Sequence, residues 1–154
     1  MVIIRHGMNR RFLPAVVFAL SVLIFVLAAR ADDLKAMEGT WKVEKAEAEG
    51  KPVESEEMKA LVVKIAGDRY EVTTKDGMDA GTVKVDETQK PKTMDATDTE
   101  GDDVGKVIKA IYELSGDTLR VCYALDGSGR PTEFATKEGS PWLLVTYTRE
   151  KKAP

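Results

Sequence analysis

The side chains that most often carry catalysis are almost absent from this chain, which holds one histidine, His6, and one cysteine, Cys122. His6 falls in a segment that reads as a removable leader, so the mature domain has no imidazole. That excludes Ser-His-Asp and Cys-His nucleophilic catalysis and the common His-based metal sites. Cys122 lies in the strand-like run Arg120-Val121-Cys122-Tyr123, where a thiol serves as a small buried hydrophobe, and a single cysteine has no internal disulfide partner. Carboxylates remain. Glu113, Asp117 and Glu133 are isolated acids in or beside strand-like runs, a setting in which acids are solvated or paired with Lys. The acidic stretch Asp95, Asp98, Glu100, Asp102 and Asp103 has the oxygen chemistry for a hard cation but lacks the Gly and Glu spacing of an EF-hand, and reads as an exposed acidic loop. Gly127-Ser128-Gly129 is too short to cradle a phosphate and reads as a hairpin turn. No catalytic residue, metal ligand or cofactor is expected, and the classes left open are binding and structure.

The leader is written in the first 31 residues. Arg5, Arg10 and Arg11 form a basic start, Phe12 to Leu27 is apolar apart from Ser21, and Ala29-Arg30-Ala31 gives the small-x-small pattern of a cleavage site before Asp32. The apolar run is about 16 residues where a spanning helix needs about 20, so residues 1–31 are expected to be a signal peptide and membrane attachment would come only from an uncleaved one. Met8, just before Asn9 and the Arg pair, is an alternative start. Of 23 basic residues, four (Arg5, Arg10, Arg11 and Arg30) leave with the leader, and 19 remain against 26 acids. The mature net charge of about −7 repels phosphate backbones, which argues against nucleic acid as a partner. Residues 32–154 fit a single domain, expected outside the cytoplasm, periplasmic or secreted.

That domain reads as all-β. Gly39 to Val43 opens a strand that a Gly/Pro break at Gly50 to Pro52 ends, and Glu54 to Leu61 is the one short helix expected. Alternating runs then follow at Leu61 to Ile65, Tyr70 to Thr74, Ala80 to Val85, Lys92 to Thr97, Lys106 to Leu114, Thr118 to Ala124, Pro131 to Thr136 and Pro141 to Arg149. An acidic loop is expected from Asp98 to Gly105. Short turns between successive runs predict an antiparallel meander of about eight strands, closed as a barrel or folded as a sandwich. Closure removes exposed edges.

Several segments in order carry a family resemblance: Glu38-Gly-Thr-Trp-Lys-Val43, Gly50-Lys-Pro-Val53, Lys90-Pro-Lys92, Ile111-Tyr-Glu-Leu-Ser-Gly-Asp-Thr-Leu119, Cys122-Tyr123 and Arg130-Pro-Thr-Glu-Phe134. Over residues 34–150 the chain resembles the planctomycete-type conserved domain of unknown function, a lipocalin-like family of exported proteins. The resemblance implies a small antiparallel lipocalin-like β-barrel and no known activity. Lipocalin-type barrels also carry Gly-x-Trp on the first strand and a late Arg over the Trp ring, which implies a plug of Trp41 and Arg149, with Arg120 as the alternative cation. Eight strands either fill with side chains or enclose one small ligand. The inward candidates for a cavity wall are Trp41, Val43, Val63, Ile65, Tyr70, Tyr112, Leu119, Tyr123, Phe134 and Trp142, with Leu61, Val72, Leu114 and Val121 beside them. Two functions follow from those two states. One is a module holding a small apolar or amphipathic ligand; the other is a filled barrel serving as a structural or interaction domain of the cell envelope.

Overall fold

Alternation of inward apolar and outward polar side chains carries the chain through its strands. A computed structural model of the protein describes residues 32–151; the expected leader, residues 1–31, lies outside them. Helix α1 (Asp33–Ala36) precedes strands β1 (Gly39–Ala48) and β2 (Lys51–Pro52). Helix α2 (Glu56–Ala60) leads to β3 (Val62–Ala66), β4 (Arg69–Thr73), β5 (Met78–Asp86), β6 (Lys92–Glu100), β7 (Val107–Ser115), β8 (Thr118–Ala124) and β9 (Trp142–Arg149). Each strand from β3 to β9 pairs antiparallel with the next, and β1 pairs with both β3 and β9. Eight strands therefore close into a barrel. The two-residue β2 is an appendage on the end of β1, folded back through Glu49 and Gly50, both at positive φ, as a tight hairpin turn requires.

Local chemistry explains the irregularities. A bulge in the β1–β9 ladder between Val43 and Lys45 inserts one residue and reverses which side chains face inward. Trp41 and Val43 point to the core before it, and Ala46 after it. Helix α2 starts at Ser55 rather than Glu54, because the Ser55 hydroxyl accepts from the Met58 amide at 3.1 Å, an N-cap that Glu54 cannot supply. The structure has two short helices where one was expected: α1 is a single turn beginning where the leader was expected to end.

Two expectations about loops are corrected. Asp98 to Glu100 belong to β6, paired with β5 through Asp98 opposite Gly81 and Glu100 opposite Ala80, so the acidic loop is shorter than expected. Pro131 to Thr136 is no strand. β8 and β9 pair directly, with Thr118 opposite Thr148 and Ala124 opposite Trp142, which leaves the 131–136 segment no ladder to join. Residues 125–141 instead form a strap against the outside of the barrel. Arg130 fastens it, donating to the carbonyls of Met94 (2.8 Å) and Ala110 (2.6 Å) and to Asp95 Oδ1 (2.5 Å). Thr136 Oγ1 donates to Glu47 Oε1 at 2.6 Å and accepts from the Gly50 amide at 2.9 Å.

Candidate functional site

One end of the barrel is shut. Trp41 is fully buried there, its indole N–H donating to the Met37 carbonyl at 2.8 Å. The Arg149 guanidinium lies 4.2 Å from the Trp41 ring centroid, within cation–π range. It also donates to the carbonyls of Ala36 (2.7 Å) and Glu38 and to Asp117 Oδ1 (3.1 Å). One cation thus fastens α1 and the start of β1 over the indole. Gly39 makes this possible: its φ is +139°, and a Cβ there would stand 2.9 Å from Arg149 Nη1. Arg120, the alternative cation, is elsewhere, 5.0 Å from the Phe134 ring on the outer wall.

A second lock at the same end was not expected. Asp33 is buried, and its Oδ2 accepts from Lys92 Nζ (2.5 Å) and Tyr112 Oη (2.9 Å) while its amide donates to Glu87 Oε1 (2.8 Å). Burial, and then the hydrogen bond to Asp33, push the Tyr112 hydroxyl far above its ordinary pKa. Tyr112 therefore holds α1 on the closed end and is not on the cavity wall, which corrects the expectation for it. The residues involved are far apart in sequence, so no local pattern could have joined them.

Above Trp41 the barrel holds a cavity of about 340 Å³. Of the expected wall residues it is lined by Trp41, Val63, Ile65, Tyr70, Leu119 and Tyr123, together with Leu61, Val72 and Val121. Val43 packs against the core without reaching the cavity. Phe134 and Trp142 are corrected: both lie outside the barrel, packed on Ile111, Cys122 and Leu144. The reason is phase. β9 turns Leu143, Val145 and Tyr147 inward, so Trp142 and Leu144 face the strap.

The wall residues missed from sequence include Val83, Met94, Ala96, Ile108, Leu143 and Tyr147, and at the rim Asp79, Asp98, Asp103 and Leu125. Alternation in β5, β6 and β9 was the available signal for the apolar ones. Asp79, Asp103 and Leu125 are exposed, which sets the mouth at the end opposite Trp41. Tyr70 reaches across the wall to donate to Asp98 Oδ1. Room for that ring comes from Gly81, directly opposite Tyr70 in the β4–β5 ladder. A Cβ at Gly81 would fall 2.6 Å from Tyr70 Oη and 2.2 Å from the Thr97 carbonyl. Deeper polar groups come from Tyr123 and Tyr147, whose hydroxyls meet at 3.1 Å. Burial raises all three: Tyr147 to about 12, Tyr123 well above its ordinary value, and Tyr70 likewise, helped by the Asp98 hydrogen bond and charge. At neutral pH they are uncharged hydroxyls.

The remaining candidates are dispersed. Glu113 pairs with Arg120 (3.7 Å), Glu133 with Lys137 (2.7 Å), and Asp117 with Arg149 (3.1 Å). In the acidic stretch Asp95 pairs with Arg130 and Asp103 with Lys106, and among the described residues no group of three or more His, Cys, Asp or Glu is placed to hold a metal ion. Cys122 is fully buried, and desolvation pushes its thiol up to about 11 against the opposing pull of Arg120. A neutral thiol sealed under the strap is a poor nucleophile. The chain matches no family model, no curated protein and no solved structure. The cavity combines apolar walls, neutral hydroxyls and an acidic rim.

Proposed function

We propose that this is an exported binding module that holds one small apolar or amphipathic molecule inside the barrel, outside the cytoplasm. A single observation carries the reading: the barrel interior keeps a cavity of about 340 Å³ between the Trp41 floor and an exposed rim, at the small end of the 300–1,000 Å³ of typical ligand sites. A barrel of this size has the alternative of filling with side chains. The Trp41–Arg149 contact supports the resemblance to lipocalin-like exported domains, and the Arg-rich start, apolar run and Ala29-x-Ala31 pattern support export with a mature start at Asp32.

The competing reading, an envelope interaction domain, is favoured by one observation. The exposed large apolar residues Met78, Val104, Val107 and Leu125 all lie on segments at the mouth of the barrel. Titration with the neutral fluorophore N-phenylnaphthylamine separates the two. The binding module takes up one equivalent with a fluorescence rise, and Ala96→Phe, which fills the cavity, abolishes uptake while the thermal transition persists. A wild-type protein that leaves the probe dark supports the interaction domain. Protein isolated from the source cell's extracytoplasmic fraction should have the mass of a chain starting at Asp32.

A further inference from the structure

Resting on the cavity reading above, we infer that the molecule held in the barrel is an amphipathic cation, an apolar body bearing an amine that is protonated at neutral pH. The juxtaposition behind this is of Asp79, Asp98 and Asp103 with the mouth of the apolar cavity, whose lining contains no Lys, Arg or His. Asp103 is neutralised by Lys106 at 3.4 Å. Among the described residues no Lys or Arg pairs with Asp79 or Asp98. Asp98 is half-buried and spends one oxygen on the Tyr70 hydroxyl. A carboxylate withdrawn from water without a counter-charge is costly, and a ligand cation relieves that cost.

The second, independent pointer lies inside. Tyr123 and Tyr147 present two hydroxyls to the cavity, and only one proton can lie between them at 3.1 Å. The pair is hydrogen-bonded to itself and still turns hydroxyl surface toward walls that are otherwise apolar. The cavity thus offers hydroxyl surface beside its apolar walls and suits an occupant with polar as well as apolar surface. The charge at the mouth fixes the sign of its polar end. A fatty acid, the usual guess for an apolar barrel, would bring its carboxylate against Asp79 and Asp98.

The test uses three probes with the same tail: decylammonium, decanol and decanoate, each displacing N-phenylnaphthylamine at neutral pH and low salt. Decylammonium should displace at roughly ten-fold lower concentration than decanol, with decanoate weakest, the size of effect one or two partly solvated charge pairs produce. About 1 M salt, where the screening length is about 3 Å, should shrink the ammonium advantage and leave decanol as it was. Asp98→Asn keeps an oxygen for the Tyr70 hydroxyl. It and Asp79→Asn should each reduce the advantage, and the exposed Asp79→Asn provides the variant least able to disturb folding. Equal displacement by all three heads, or preference for decanoate, overturns the cationic ligand while leaving the cavity reading intact. Failure of the fluorophore and of all three probes to bind overturns both.

Discussion

Arg149 does more at the closed end than a cation over an indole needs to do. It contacts the Trp41 ring, two carbonyls of the chain entering β1, and Asp117. Truncating Trp41 to Ala should cost about 3–5 kcal/mol, since a rigid closed barrel cannot collapse on the void. Arg149→Ala should cost about 2 kcal/mol, because charge-assisted hydrogen bonds to carbonyls go with the cation–π contact. Arg149→Lys should recover less than half of that, as an ammonium cannot lie flat on the indole and bridge two carbonyls at once. Urea midpoints of the three variants measure this, and an Arg149→Lys protein as stable as the wild type would show that only the charge matters. Trp41 and Arg149 could be named in advance because a motif resemblance pairs them. No such aid existed for Asp33 with Lys92 and Tyr112, or for Tyr123 with Tyr147. Those pairs are separated by 59, 79 and 24 residues, and only the closed fold brings them together.

Among the elements, the strap is where sequence reasoning went astray, for a definable reason. Thr132, Phe134 and Thr136 have β-type residues at alternate positions, which satisfies a strand pattern, but a strand needs a partner and β8 and β9 already occupy each other. A better signal lay in the neighbouring strands. Ala110-Ile111-Tyr112, Val121-Cys122-Tyr123 and Leu143-Leu144-Val145 are apolar on consecutive residues, which marks a wall covered on both faces. The outward members Ile111, Cys122 and Leu144 stand side by side across β7, β8 and β9 and need a lid, which Phe134 and Trp142 provide. Phe134→Ala should therefore act on Cys122 and not on the cavity. In the wild type, Cys122 should resist a thiol-specific reagent at neutral pH, being buried with its pKa pushed up to about 11. In the variant it should react at least roughly ten-fold faster, because thiolate reactivity follows access. N-phenylnaphthylamine uptake should be unchanged. Lost uptake with Cys122 still protected would place Phe134 inside the barrel instead.

Closure of the meander into a barrel has a consequence for the whole molecule that reaches every tyrosine in the chain. All four, Tyr70, Tyr112, Tyr123 and Tyr147, face the interior, and burial raises each above its ordinary value of 10.0. Two of the four are further raised by a carboxylate that accepts their proton, Asp98 for Tyr70 and Asp33 for Tyr112. In the unfolded chain each hydroxyl releases its proton near pH 10; in the barrel it keeps it. Between those points the native state binds more protons than the unfolded one, so stability falls as pH rises. The stabilising contribution is whole below pH 10, apart from the smaller one of Cys122, which begins to decline above its ordinary value of 9.0. Denaturant midpoints should thus be insensitive to these groups from pH 7 to 9 and drop steeply above pH 10. Tyrosinate absorbance should stay silent in the folded protein past pH 10 and then appear in one cooperative step, together with loss of the β-sheet circular dichroism. The two signals must coincide, because the cavity lining that holds Tyr70, Tyr123 and Tyr147 has no Lys, Arg or His to meet a phenolate, and the four rings share one core. A tyrosinate signal that rises smoothly around pH 10 while the sheet remains intact would mean that at least one of these hydroxyls is in water, and that the barrel is open where the structure closes it.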